Sequence, residues 1–116
     1  MSMLAVVLIL LVALLHLGFL VLEMFLWTRP VGLKVFRQSQ AQAEQSRVLA
    51  ANQGLYNGFL AAGLVWAAIS ARSDVALFFL GCVVVAGAYG AATVSRRIFF
   101  VQGVPALVAI AAVCLG

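Results

Sequence analysis

Residues 3–27 read MLAVVLILLVALLHLGFLVLEMFLW, an apolar run interrupted by His16 and Glu23. As a helix rising 1.5 Å per residue, such a run covers a hydrocarbon layer of roughly 30 Å. It lacks the basic start of a secretory signal, and its apolar stretch is too long for one, so it is expected to stay in the protein as a first spanning helix.

Working outward, the whole chain shares this solvent preference. Of its 116 residues, 66% are hydrophobic and 9% charged, well outside the composition of a soluble domain. Further apolar segments at residues 48–70, 75–95 and 98–116 bring the expected spans to four. A single bilayer-length segment satisfies its own backbone hydrogen bonds only as a helix. The expected fold is therefore all-α, a four-helix transmembrane bundle forming one domain over residues 1–116.

The formal net charge of +4 does not point to nucleic acid, because the basic residues lie in connecting segments rather than on a folded face with interleaved aromatics. Cys82 and Cys114 occupy different apolar segments, with no CxxC pair and no His/Cys cluster of metal-site spacing, so they read as packing thiols and no metal is expected. Arg29, Lys34, Arg37 and Arg47 outnumber Glu44 in the first connection, and Arg96 and Arg97 sit in the third, whereas the second has Arg72 alone. Lys- and Arg-rich short loops stay in the cytoplasm, which places both termini outside.

The stretch TRPVG at residues 28–32 ends the first span, since Pro30 disfavours helix at Arg29 and Gly32 permits a turn. LKVFRQSQAQAEQSR, residues 33–47, is rich in helix formers. It predicts a short cytoplasmic interfacial helix between spans one and two, with Leu33 and Phe36 dipping into the interface.

NQGLYNGFLAAG, residues 52–63, places Asn52, Gln53, Tyr56 and Asn57 within the second span. Measured from the cytoplasmic side, Asn52 enters at roughly 6 Å and Asn57 at roughly 13 Å. On span one, Glu23 lies roughly 6 Å in and His16 roughly 16 Å in, two turns apart on one face. Span three adds Tyr89 and Thr93, and span four adds Gln102. Polar side chains facing lipid have no partner, so their gathering in one leaflet predicts a polar cavity open to the cytoplasm with His16 at its floor.

Such a cavity suits a small amphipathic or polar ligand bound by Asn52, Gln53, Tyr56, Asn57, Tyr89, Thr93 and Gln102, with His16 and Glu23 placed for acid–base chemistry. Structural readings stand beside it: Glu23 paired with Arg29, Arg96 or Arg97, and the amides as interhelical glue. Gly54, Gly58 and Ala62 form a small-residue stripe for close packing, within the chain or against a second copy as a homo-oligomer; Gly87 and Ala91 repeat the pattern. Pro105 withdraws an N–H from span four and predicts a kink. No phosphate loop, GxSxG turn or HExxH motif is present, and the cofactor is left undetermined. A small transporter or channel subunit is the competing class, although the outer half shows almost no polar route; a scaffold acting through its small-residue faces is the third.

Taken together, HLGFLVLEMFLW, NQGLYNGFLAAGLVW, AGAYGA and FVQGVPA resemble the small bacterial membrane-protein family known as domain of unknown function 1304. The resemblance covers nearly the whole chain. It implies four helices in the bacterial inner membrane, in contact with membrane lipid, and carries no activity over to particular residues. A weaker similarity links Arg47 and Asn52 to the four-helix membrane proteins of eicosanoid and glutathione metabolism. Tyr56 stands where that motif has an acidic residue, so no glutathione site is carried over.

Overall fold

A computed structural model describes residues 1–116 and contains helices without strands. Helix α1 spans Met3–Met24, α2 Pro30–Phe36, α3 Gln40–Ile69, α4 Ser73–Thr93, α5 Arg96–Ile98 and α6 Val104–Leu115, with a π-helical turn at Phe99–Gly103 joining the last two. Three stretches are long and apolar enough to cross a membrane: Met3–Met24, Ser73–Thr93 and Arg96–Leu115. Helix α3 is longer, at 30 residues, but Asn52, Gln53, Tyr56 and Asn57 dilute its apolar character and it is not among them.

The first connection departs from its expected form. The sequence predicts one helix over residues 33–47; instead the helix breaks at Arg37, whose backbone is left-handed at φ 52°. The Gln38 N–H then reaches the Leu33 carbonyl at 3.1 Å and closes α2. Ser39 starts α3: its Oγ accepts the Gln42 N–H at 3.1 Å while Gln42 Oε1 accepts the Ser39 N–H at 2.9 Å. This reciprocal capping box satisfies two backbone donors that a helix start would otherwise leave open. The Gln-rich stretch thus becomes the first turns of α3 rather than a separate helix.

Two compact units are resolved, and each has its own packing. The first comprises Met1–Leu14 and Leu60–Gly116. Its core is built on Ile9, Val12, Leu64, Leu80 and Val83, interleaved with alanines 5, 13, 61, 67, 76, 106 and 109. Small side chains recur where the helices come close, since they allow tight van der Waals packing between helix backbones. Gly87 shows the same rule at its limit: a Cβ there would lie 3.0 Å from the Gly103 backbone nitrogen.

Beside that contact, the backbone widens into the π-helical turn, in which the Val104 N–H reaches back to the Phe99 carbonyl. Pro105 follows immediately. Its missing N–H cannot serve the Val101 carbonyl, and a local π turn is a common way for a helix to absorb such a break.

The second unit is Leu15–Phe59. Pro30 opens α2 from the extended Arg29, at φ −86° and ψ 162°. Gly32 is buried beneath the carbonyls of Leu26 and Trp27, where a Cβ would overlap the Leu26 oxygen. Phe36 packs on Trp27 with ring centroids 4.7 Å apart. Trp27 Nε1 donates to Ser46 Oγ at 3.1 Å, and Gln40 Nε2 donates to the Thr28 carbonyl at 3.2 Å. These contacts seat the turn after α1 on the beginning of α3.

Gly32→Ala is expected to cost about 1–3 kcal/mol, because the added methyl meets backbone that cannot rotate away; the readout is a lowered midpoint of thermal unfolding in detergent. Gly18→Ala, where nothing lies within 4 Å, is expected to leave that midpoint unchanged or slightly raised. At the end of α3, Ala71 is held left-handed at φ 52° while the Arg72 N–H bonds the Ala67 carbonyl at 3.1 Å. Ala71→Gly should therefore stabilise the chain by roughly 1 kcal/mol in the same assay.

Candidate functional site

Within the second unit, α1 and α3 carry three buried polar side chains, of which Glu23 and Asn57 meet. His16 is fully buried, Glu23 is 4% exposed and Asn57 is 9% exposed. On α1, seven residues separate His16 from Glu23, close to two turns, which puts them on one face roughly 10 Å apart along the axis. On α3, Gly54, Asn57 and Gly58 share another face, at helical spacings of three and four.

The glycines make the contact between those faces possible. A Cβ at Gly54 would lie 2.7 Å from Met24 Cγ and 3.1 Å from Glu23 Cβ, and one at Gly58 would lie 2.8 Å from Leu20 Cδ1. Without those methyls α3 comes close enough for a short amide to reach across. Asn57 Nδ2 donates to Glu23 Oε1 at 2.5 Å. Of the small-residue stripe, Gly54 and Gly58 thus pack against the chain's own α1, while Ala62 is exposed.

Chemically, a carboxyl group facing a primary amide has a partner in either protonation state. The carboxylate accepts from Nδ2, and a carboxylic acid would donate to Oδ1 once the amide turns over. One amide contact also leaves the carboxylate with acceptor capacity unused. His16 stands about two turns earlier on the same face of α1, its ring edge-on to Phe19 at 5.3 Å between centroids. No three His, Cys, Asp or Glu side chains converge as a metal-binding group.

The remaining sequence-selected residues are placed differently. The buried positions of α3 are Ala43, Ala50, Gly54, Asn57, Ala61, Gly63, Leu64 and Ala67, and Asn52, Gln53 and Tyr56 fall off that stripe and are exposed. Asn52 satisfies itself locally, donating from Nδ2 to the Val48 carbonyl one turn back at 3.1 Å. The Tyr56 ring lies beside Phe59, 6.0 Å between centroids. In the first unit, Tyr89 is exposed, and so is Thr93, whose Oγ1 donates to the Tyr89 carbonyl at 2.7 Å. Gln102 is half-buried in the π-helical turn.

Sequence reasoning set Asn57 beside Tyr56 as a pocket-lining residue and missed its alignment with Gly54 and Gly58. The pattern G-x-x-N-G was the available signal, since two glycines flanking an amide on one helix face mark the place where that amide can touch a neighbouring backbone. At the far end of α3, Arg72 makes a bidentate contact with Asp74, Nη2 to Oδ2 at 2.7 Å and Nε to Oδ1 at 3.2 Å. Its guanidinium also lies 5.9 Å from the Trp66 ring centroid. Both groups of that pair are solvent-exposed, so it marks a helix connection rather than a site.

Comparison with known proteins adds a family and a relative. The profile of the family described as protein of unknown function (DUF1304) matches residues 10–114. The uncharacterized protein YpaA of Lactococcus lactis subsp. lactis (strain IL1403) is 32% identical over 114 residues, covering 95% of this chain and 96% of the relative. No solved structure matches the chain. With the profile spanning almost the full length and the relative aligned nearly end to end, the chain belongs to the DUF1304 family.

Proposed function

We propose that this chain is a multi-pass protein of the bacterial inner membrane that takes a small amphipathic or polar molecule beside Glu23, Asn57 and His16. In this reading α1, α3, α4 and the α5–α6 segment are four spans of a single-domain bundle, α2 lies at the cytoplasmic interface, and both termini face outward. Helix α3 is long enough for its span, since 30 residues extend about 45 Å. The observation that carries the ligand reading is the burial of an ionisable side chain in an apolar helix against a neutral amide. Buried acids in membrane helices are costly, and they are retained chiefly where they handle protons, ions or ligands.

His16 and Glu23 are the groups for acid–base chemistry in this proposal. Asn57 holds the Glu23 carboxyl in place, and Asn52, Gln53 and Tyr56 offer donors and acceptors on adjoining faces of α3. Tyr89, Thr93 and Gln102 are not needed for it.

Native mass spectrometry of the detergent-released chain is expected to show a retained small molecule that is lost in Glu23→Gln and in His16→Ala. Glu23→Gln keeps a hydrogen-bonding partner for Asn57, so its fold should hold. Glu23→Ala strands that amide and should cost about 1–3 kcal/mol. A wild-type chain that retains no molecule, or variants that retain it unchanged, would leave Glu23 and Asn57 as interhelical glue and sink the ligand reading.

Orientation has its own test. In a background with Cys82→Ser and Cys114→Ser, a membrane-impermeant maleimide applied to intact cells whose outer membrane has been permeabilised should label Asp74→Cys and spare Gln40→Cys. The opposite pattern inverts the topology.

A further inference from the structure

We propose that the outward face of α2 binds the headgroups of anionic phospholipids, an inference that rests on the chain's being embedded in the membrane. The seven residues of α2 divide cleanly at helical spacing. Gly32 and Phe36 form the inward side, fixed by the carbonyls above Gly32 and by the Trp27 ring against Phe36. Val31, Lys34 and Val35 form the other side, and all three are exposed. Arg29 at one end of the helix and Arg37 at the other are exposed as well.

None of Arg29, Lys34 and Arg37 has a carboxylate partner, since the chain's ion pair joins Arg72 to Asp74. The two acids that flank the face in sequence bond elsewhere: Glu23, six residues before Arg29, accepts from Asn57 Nδ2 at 2.5 Å, and Glu44, seven after Arg37, accepts from Gln40 Nε2 at 2.9 Å. The face therefore combines two uncovered valines with three uncompensated cations on a helix that cannot roll, because Gly32 and Phe36 hold its other side.

That combination decides between surroundings. In water the valines gain nothing. At a neutral interface they are buried among acyl chains, but the cations meet no net opposite charge. At an anionic interface both are satisfied at once, with valines below the headgroup level and Arg29, Lys34 and Arg37 among the phosphates. A Lys or Arg near an anionic surface contributes on the order of a fivefold preference. Trp27, packed under α2, suits the same depth, where tryptophan is enriched.

Trp27 also supplies the reporter. The full chain carrying Trp66→Phe is placed in phosphatidylcholine vesicles containing a minor fraction of brominated phosphatidylglycerol or of brominated phosphatidylcholine, and quenching of Trp27 is compared. At equal mole fraction, brominated phosphatidylglycerol is expected to occupy the site about fivefold more readily or better, with the preference collapsing in 0.5 M salt, by roughly the screening expected of exposed charges. Arg29→Gln/Lys34→Gln/Arg37→Gln should bring the ratio close to one with helicity unchanged, and Lys34→Gln alone should at least halve it.

Equal quenching by the two lipids in the wild-type chain overturns the proposal and leaves membrane embedding intact. A preference that survives the triple substitution, or one abolished by soluble glycerol phosphate at the same concentration, overturns it too, the latter by showing a site for a free anion. No quenching by either lipid would remove the embedding itself and this inference with it.

Discussion

A carboxyl group set within an apolar helix needs a partner before the helix can settle in a bilayer, where an unsatisfied polar group costs several kcal/mol. In this chain the partner of Glu23 is Asn57, and much of the second unit follows from bringing the two together. An asparagine side chain is short. For its amide to reach a carboxyl on another helix, the backbones have to come closer than side chains usually permit, and Gly54 and Gly58 allow this by presenting no Cβ to Leu20, Glu23 and Met24. The glycine stripe and the buried polar pair are thus one device: the stripe sets the distance, and the hydrogen bond selects the rotation at which the helices meet.

The first unit keeps its helices close by another arrangement of the same kind. Gly87 meets Gly103 backbone to backbone, and the π-helical turn that ends at Gly103 occurs just ahead of Pro105. A proline inside a helix leaves a carbonyl without its donor, and the backbone must be re-satisfied by a change in local winding or by a neighbour. Two glycines at that level let α4 lie against the altered turn with no side chain between. Isoleucine, leucine, valine and alanine fill the rest of that core, and small side chains among them let the helices pack closely.

Much of this was legible in the sequence, for reasons that can be assigned residue by residue. Length and hydropathy alone identify the stretch containing His16 and Glu23 as a helix able to cross a membrane, because lipid leaves few other backbone solutions. Pro30 and Gly32 mark the first turn, and Pro105 marks the irregular winding in the last apolar segment. Placement of the polar residues of α3 was harder. Asn52, Tyr56 and Asn57 follow one another within about a turn and a half, but adjacent positions are turned about 100° apart, and only Asn57 falls in line with Gly54 and Gly58. Spacing along the helix was readable from residue counts; facing depended on which neighbour came close. The break at Arg37 was hidden for a different reason. Helix propensity across residues 33–47 is high throughout, and a cap is a local hydrogen-bonding choice that propensity does not contain. The S-x-x-Q pattern at Ser39–Gln42 encoded it.

An exposed polar residue in an apolar helix is therefore a weak sign of a site when it can bond its own backbone. Asn52, Ser70 and Thr93 each donate to a carbonyl one turn earlier, which gives the side-chain donor a partner without a second helix. Three other side-chain bonds do join separate elements: Asn57 to Glu23, Ser46 to Trp27 and Gln40 to Thr28. Their order is informative. Descending α3 from residue 57 to 46 to 40, the partners ascend from 23 to 27 to 28, as two antiparallel segments require. The bonds act together as a register gauge, since a slide of one helical turn would separate all three pairs. Of the three, the Asn57 contact is the one made between largely buried side chains. Low local dielectric strengthens a satisfied hydrogen bond and raises the cost of a broken one, so the pair that offers chemistry is also the pair that most strongly fixes where α1 and α3 meet.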